Sequence, residues 1–177
     1  MYFGKKVVLR EFREEDIKIA TSFINDYDIA TMLTKQAIIP ISKEAEEQSI
    51  RNRSKLNDNR IDFAIESIEE EKYIGNCSIV NIDYKNSNCV IGIKIGSKDD
   101  WGKGYGTDAI NVLLKFIFFE LNINKVKLTV YEYNERAINT YIKSGFNVEG
   151  RLIKEIYRNG KYYDEILLAI FKENFKQ

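Results

Sequence analysis

The sequence predicts an α/β (α+β) fold built on one central sheet of about seven strands, mostly antiparallel, with helices packed on it. Three strand-like runs lie between residues 61 and 95 with short polar turns between them, which is typical of an antiparallel meander. A helix, a strand and a second helix then follow one another between residues 107 and 144. The 177 residues, of which 44% are hydrophobic, suffice for one full core, so residues 1–177 are expected to form a single domain.

The first half of the chain is divided by acidic, hydroxyl and proline residues. A first strand is followed by a helix that begins at Glu14, where acid favours a helix N-terminus. We expect irregular structure before Pro40, because proline stops any helix from passing through. Ser42 is expected to cap the next helix. The predicted elements are a strand at 6–12, a helix at 14–25, irregular chain at 26–40, a helix at 42–56, and strands at 61–68, 72–82 and 89–95.

The second half carries stronger signals. Apolar residues at helical spacing predict a helix over 107–121, and alternation predicts a strand over 125–131. Asn134 and Gly145 mark both ends of the next helix, since Asn is a favoured N-cap and Gly the usual residue after a helix. Asn159-Gly160 predicts a type I′ hairpin turn between strands at 146–157 and 161–171.

Composition excludes several classes of function. Lys+Arg and Asp+Glu both number 27, so no global field attracts nucleic acid or an anionic membrane. Apolar runs approaching ~18 residues and an apolar signal-peptide core are absent from the sequence, so a soluble cytoplasmic protein is expected. The lack of histidine excludes Ser-His-Asp and Cys-His catalysis and His-ligated metals, and Cys77 and Cys89 are too few for a zinc site, so no metal is predicted.

A glycine-rich loop at residues 101–107 is the main functional signal. Its glycines at 102, 104 and 106 permit φ > 0 and leave backbone amides uncovered just before a helix, which predicts a site for a phosphate-bearing ligand. A dinucleotide fingerprint would need glycine at Thr107, and a P-loop would need Ser or Thr where Gly104 follows Lys103. Both nucleotide motifs therefore fail on spacing.

Several motifs in a fixed order resemble the GNAT acetyltransferase superfamily, in the branch that includes ribosomal-protein alanine and spermidine acetyltransferases. They are Gly-Ile-Lys-Ile-Gly at 92–96, Trp-Gly-Lys-Gly-Tyr-Gly-Thr-Asp-Ala-Ile at 101–110, Asn-Glu-Arg-Ala-Ile at 134–138, Tyr141, Gly145-Phe146 and Glu149-Gly150. The resemblance implies the GNAT fold, with helices on both sheet faces and two splayed parallel strands that form a slot for acetyl-CoA. It also implies an N-acetyltransferase that uses acetyl-CoA as co-substrate and acts by direct transfer in a ternary complex.

The resemblance also implies roles for particular residues. The CoA pyrophosphate would lie on the glycine loop, and the pantetheine arm would pair with the strand before it. The amide of Ile95 would stabilise the oxyanion, and Tyr141 would protonate the departing thiolate. The full set expected to bind the cofactor is Lys94, Ile95, Gly96, Trp101, Gly102, Lys103, Gly104, Tyr105, Gly106, Thr107, Asn134, Ala137, Tyr141 and Lys143.

The acceptor is less constrained than the cofactor. A primary amine is expected, either a small molecule such as a polyamine or a protein N-terminus, and it must lose a proton before it attacks. Many relatives have Glu where this chain has Val90, so the base is open. The acids that could attract a cationic amine are Glu14, Glu15, Asp26 and Asp28.

Two other functions stay open at this point. One is a non-catalytic acyl-CoA-binding or regulatory domain, which the absence of Glu at position 90 makes conceivable. The other is a phosphate-binding structural protein. The last hairpin, with Tyr162 and Tyr163, could also form a homodimer interface or simply cover the sheet.

Overall fold

The computed structural model describes residues 1–53 and 59–176. The strands are β1 (Tyr2–Phe3), β2 (Val7–Arg10), β3 (Arg60–Ser67), β4 (Lys72–Asp83), β5 (Asn88–Ile95), β6 (Lys125–Tyr131), β7 (Asn147–Arg158) and β8 (Lys161–Phe171). The helices are α1 (Glu14–Phe23), α2 (Tyr27–Leu33), α3 (Lys43–Arg53), α4 (Tyr105–Phe119) and α5 (Glu135–Lys143), with short 3₁₀ turns at Lys98–Asp100 and Lys172–Asn174.

The strands form one sheet in the order β1-β2-β3-β4-β5-β6-β8-β7, and every neighbouring pair is antiparallel except β5 and β6. This confirms the predicted mixed, mostly antiparallel sheet. The described residues contain eight strands rather than about seven, because Tyr2–Phe3 pairs with β2 as an additional short edge strand.

The parallel pair β5 and β6 is joined at one end only. Pairing runs from Asn88 opposite Lys125 to Val90 opposite Lys127 and then stops. Residues 91–95 of β5 and 128–131 of β6 continue as strands without pairing to each other. We call the gap between these two segments the slot. The expected splayed parallel strands are thus present.

Helices cover both faces of the sheet. The larger core joins the sheet to α4 and α5 and includes Leu113, Ile117 and Phe118. A smaller core on the opposite face joins α1 and α3 to the sheet through Ile17, Ile50 and neighbouring residues. Within the described part of the chain, no helix is both long and apolar enough to span a membrane.

The expectation of irregular chain over residues 26–40 is wrong for its first part, where α2 forms. The Asp26 side chain caps this helix and accepts bonds from the amides of Asp28 (3.0 Å) and Ile29 (3.2 Å). The Ser42 cap is confirmed by the bond that its hydroxyl oxygen accepts from the Ala45 amide at 3.1 Å. The predicted end of that helix near residue 56 lies outside the described residues.

The turn and cap predictions of the second half are confirmed. The Asn134 side chain accepts a bond from the Ala137 amide at 3.2 Å, and Gly145 has φ +94° just after α5. Asn159 (φ 50°) and Gly160 (φ 78°) both lie in the left-handed region, as a type I′ turn requires. These local signals fix where α5 stands beside the slot.

Candidate active site

A cavity of about 690 Å³ lies at the slot and is lined by residues from both faces of the sheet. Ile91 is buried in the larger core, and Ile93 and Ile95 pack against it, so the alternate residues Gly92 and Lys94 point to the opposite face. The side toward α4 and α5 is lined by the glycine loop and by residues 134–143 in part. The side toward α2 is lined by Ile29, Met32, Leu33, Gly92, Thr129 and Tyr131.

The glycine loop presents free backbone donors at the start of α4. Gly102 and Gly104 have φ values of +79° and +87°, and Gly104 is the N-cap of the helix. Within residues 1–53 and 59–176, the amides of 102–107 have no hydrogen-bond acceptor. Such amides at a helix N-terminus form a site for an anion, and they fit a pyrophosphate.

Hydrogen bonds with the start of the chain hold this loop in place. The Lys6 ammonium donates to the Lys103 carbonyl at 2.7 Å. The Asp108 carboxylate accepts bonds from the amides of Lys5, Lys6 and Val7 at 2.7–3.2 Å. Both contacts tie β2 to the loop and to the first turn of α4, so the amides keep their orientation without a ligand.

Arg136 adds a positive charge beside the loop. Its guanidinium stacks on the Trp101 ring at 3.4 Å from the centroid and lines the cavity. Burial lowers the pKa of Arg136, and no carboxylate in the described part of the chain pairs with it. The sequence analysis missed this residue, although a cation in the first turn of a helix is locally unfavourable and so indicates another role.

Asp100 brings a negative charge to the same end of the cavity. It is 3% exposed, and its carboxylate binds the ammonium groups of Lys103 (3.0 Å) and Lys72 (3.5 Å). Two lysines thus offset one acid. This arrangement leaves the loop able to accept an anionic ligand.

Tyr141 stands in the wall of the cavity on α5. Its ring packs edge-on against Phe146 with centroids 5.7 Å apart, and only 7% of the residue is exposed. Burial raises the pKa of Tyr141 to about 12, so the hydroxyl is protonated at neutral pH. No described residue forms a hydrogen bond with that hydroxyl, which leaves its proton available to a ligand.

The backbone of β5 presents specific groups to the slot. The Gly96 amide donates to the Ile74 carbonyl at 2.8 Å, so the alternate residues Ile93 and Ile95 turn their backbone groups away from β4 and toward the slot. The Ile95 carbonyl accepts a bond from the Trp101 indole at 3.1 Å. The Ile95 amide is therefore the donor that remains at this end of the slot.

Most of the predicted site residues lie together on the cavity wall. Those that line it are Lys94, Ile95, Trp101, Gly102, Gly104, Tyr105, Gly106, Thr107, Asn134, Ala137, Tyr141 and Lys143. Gly96 and Lys103 do not line it. Gly96 is instead covered by the Phe23 ring, which lies 2.1 Å from where a Cβ would stand, and the Lys103 ammonium is held by Asp100.

The four candidate acids do not line the cavity. Glu14 forms an ion pair with Arg51. Asp26 and Asp28 both bind the Lys98 ammonium, at 3.1 Å and 2.6 Å. Val90 lies opposite Lys127, at the last paired position of β5 and β6 before the slot.

The sequence placed the pocket for the acceptor in residues 25–41 and the last hairpin, but it did not identify which residues form the wall on the α2 side. Its residues Ile29, Met32 and Leu33 stand at i, i+3 and i+4, a helical spacing that could have revealed them. The wall is fixed by side-chain bonds, since the Tyr133 hydroxyl donates to the Thr31 carbonyl and Arg158 donates to the Thr34 carbonyl, both at 2.7 Å. The last hairpin therefore supports α2.

Comparison with known proteins agrees with this geometry. Residues 6–147 match the model of the acetyltransferase (GNAT) domain. The chain is 30% identical to the SPbeta prophage-derived uncharacterized N-acetyltransferase YokL of Bacillus subtilis, over 98% of this chain and 94% of that protein. It is 28% identical to spermidine N(1)-acetyltransferase of Escherichia coli, over 96% and 88%. Spermidine N-acetyltransferase from Vibrio cholerae, solved with CoA and spermine, superposes with a TM-score of 0.83 at 25% identity over 95% of this chain and 96% of that one.

Proposed function

Because the chain belongs to the acetyltransferase (GNAT) family, we propose that it transfers the acetyl group of acetyl-CoA to a primary amine by direct attack within the slot. The observation that carries the proposal is the cavity itself. It joins the anion cradle of the glycine loop to residues of α2 on the other face of the sheet, and Tyr141 and Ile95 both line it. Two substrates could therefore meet there from opposite faces.

The residues on the α4 and α5 side suit CoA. The amides of 102–107 would hold the pyrophosphate, with Arg136 adding charge-assisted hydrogen bonds. Lys143 on α5 also lines the cavity and adds positive charge, whereas Lys94 lines it from the opposite face of the sheet. Bound acetyl-CoA supplies the acetyl group as a thioester. The backbone of Ile93 and Ile95 would align its pantetheine arm along the slot.

The chain's own groups then have defined tasks. The Ile95 amide faces the position where negative charge develops on the carbonyl oxygen, and it is preorganised because it is fixed in a strand. As the N–C bond forms and the C–S bond breaks, Tyr141 gives its proton to the sulfur and recovers one from solvent, while the amine nitrogen loses one proton to solvent. The products are an N-acetylated amine and CoA. Holding both reactants in one slot supplies much of the rate gain.

A pair of glycine variants tests the cofactor site. Gly102 and Gly160 have nearly equal φ values, +79° and +78°, and a Cβ at either would meet nothing within 4 Å. Gly102→Ala and Gly160→Ala should therefore lose similar stability through backbone strain. Only Gly102→Ala should raise the Kd for acetyl-CoA, by about tenfold or more, because its Cβ enters the cradle. Equal affinities in the two variants would contradict the assignment.

Turnover is tested separately by thiol release from acetyl-CoA with a panel of polyamines, amino acid amides, aminoglycosides and N-terminal peptides. Saturating acetyl-CoA at ~100 times its Kd should also stabilise the fold by ~2.7 kcal/mol. The proposed activity requires thiol release with at least one amine. Stabilisation by acetyl-CoA with no thiol release from any of them would instead support a binding or regulatory domain.

A further inference from the structure

The part of the cavity on the α2 side is mostly apolar, although the Lys94 side chain also points to this face. We call it the acceptor pocket, and it is formed by Ile29, Met32, Leu33, Gly92, Thr129 and Tyr131. Tyr131 is 8% exposed, and burial raises the pKa of its hydroxyl to about 12, so this group is neutral. The slot-facing carbonyl of Thr129 lies in the same wall and can accept a bond from an amine. The pocket thus offers hydrocarbon and a neutral acceptor, and Lys94, which points to the same face, adds a positive charge that disfavours a cationic amine.

The charges of the residues that line this pocket disfavour a polycation. In residues 1–53 and 59–176 the one acid that lines the cavity is Asp100, and it lies at the glycine-loop end. The carboxylates on residues flanking the pocket are each held by a lysine, and each of these lysines is shared with a second acid. Asp28 binds Lys98 at 2.6 Å, and Glu165, the cross-strand neighbour of Tyr131, lies 3.4 Å from the Lys35 ammonium.

The chemistry of the attacking amine points the same way. Moving an ammonium ion into apolar surroundings is costly, so such a pocket favours the neutral amine, which is also the form that attacks. An alkylamine has a pKa of ~10.4 and an α-amino group one of ~7.8, so at neutral pH the neutral fraction of the α-amine is roughly 300-fold larger. A weakly basic amine would need less help from a base, and Val90 supplies none.

We propose that the acceptor is a weakly basic monoamine carried on an apolar or aromatic body, represented by the α-amino group of a hydrophobic residue, and not a polyamine. This assignment rests on the proposed acetyl transfer. This acceptor differs from spermidine, the substrate for which the relatives from Escherichia coli and Vibrio cholerae are named, although the fold is the same.

Gly92 leaves open space in the pocket for the acceptor. It stands in the interior of β5, where glycine weakens a strand unless another group approaches the backbone closely. A Cβ at Gly92 would meet nothing within 4 Å, so its place is open space in the pocket. A larger side chain there would fill the space without touching the glycine loop.

The test compares three amines that differ in apolar body and in basicity. Phenylalaninamide has the apolar body and the α-amine, glycinamide has the α-amine alone, and spermidine has three strongly basic amines and no aromatic body. At neutral pH, kcat/KM for phenylalaninamide should exceed that for spermidine ~100-fold or more, and that for glycinamide should be ~10-fold or more below phenylalaninamide. Comparing phenylalaninamide with a peptide that begins with phenylalanine distinguishes a small-molecule acceptor from a protein N-terminus.

A matched variant tests the pocket without relying on turnover. Calorimetry with CoA present should show that Gly92→Val weakens phenylalaninamide binding at least tenfold and leaves the Kd for CoA unchanged. Gly150→Val, in the edge strand β7 away from the cavity, should change neither. Spermidine turnover equal to or above that of phenylalaninamide, or unaltered amine binding by Gly92→Val, would overturn the acceptor class. Thiol release with spermidine alone would leave acetyl transfer standing, whereas release with no amine would count against the proposed function.

Discussion

Replacing Tyr141 by Phe removes one hydroxyl group from the slot and leaves the ring where it is. The ring keeps its contact with Phe146, at 5.7 Å between centroids, so the fold and the cofactor site should be unaffected. The hydroxyl has no hydrogen-bond partner among the described residues, so its removal leaves no buried group unsatisfied. The substitution therefore isolates the proton donor.

The expected size of the effect follows from the role. A positioned general acid contributes ~10²–10⁴ in rate, or ~3–5 kcal/mol of barrier at 1.36 kcal/mol for each tenfold change. Without the donor, the thiolate must leave unprotonated into the slot. The slot disfavours an anion, since burial there raises the pKa of Tyr141 to about 12. We expect kcat and kcat/KM to fall together by ~10² or more, with the Kd for acetyl-CoA within twofold of the parent.

The pH profile gives a second measure of the same role. The active form of Tyr141 is the protonated one, and it is lost only as the pH rises through about 12. The parent enzyme should therefore show no fall in kcat from this group between pH 6 and 10. Continuous thiol detection across that range, for the parent and for Tyr141→Phe, is the assay. A kcat for the variant within threefold of the parent would refute the assignment of Tyr141.

Two further predictions concern the cofactor site and the fold. Arg136→Gln should raise the Kd for acetyl-CoA ~10–100-fold in calorimetry, because a charge-assisted bond to phosphate is lost, while kcat at saturation changes little. Arg51→Gln on α3 is the control and should have no effect on either quantity. Gly96→Ala should lower the free energy of unfolding by ~1–3 kcal/mol, because its Cβ would stand 2.1 Å from the Phe23 ring. The Cβ of Gly92→Ala would meet nothing within 4 Å, so this variant should not lose stability through a clash. Similar melting curves for the two variants would contradict this packing.

The cofactor half of the site could be predicted from the sequence because its signals are local. Glycines that require φ > 0 and the Asn134 cap both act within a few residues, and the structure has the turn and cap that they predict. The family resemblance that the motifs carry also predicted the splayed pair of strands, and the structure has it. Gly96 shows the limit of such reasoning, because its motif position did not disclose that the Phe23 ring would cover it.

The acceptor half could not be predicted in the same way, because it depends on contacts between distant segments. Asp26 and Asp28 are acidic in the sequence, yet the fold brings Lys98 to both and places neither on the cavity wall. The wall formed by α2 is held by Tyr133 and Arg158, more than a hundred residues further along the chain. Nothing near residues 27–33 in the sequence indicates those partners.

The most direct test of the whole account is an experimental structure of the protein with CoA and an amine product. The account predicts the pyrophosphate on the amides of residues 102–107, the sulfur between the Ile95 amide and the Tyr141 hydroxyl, and the amine body against Gly92 and α2 on the other face of the sheet. A complex with the phosphates away from the glycine loop, or with both ligands entering from one face, would contradict it.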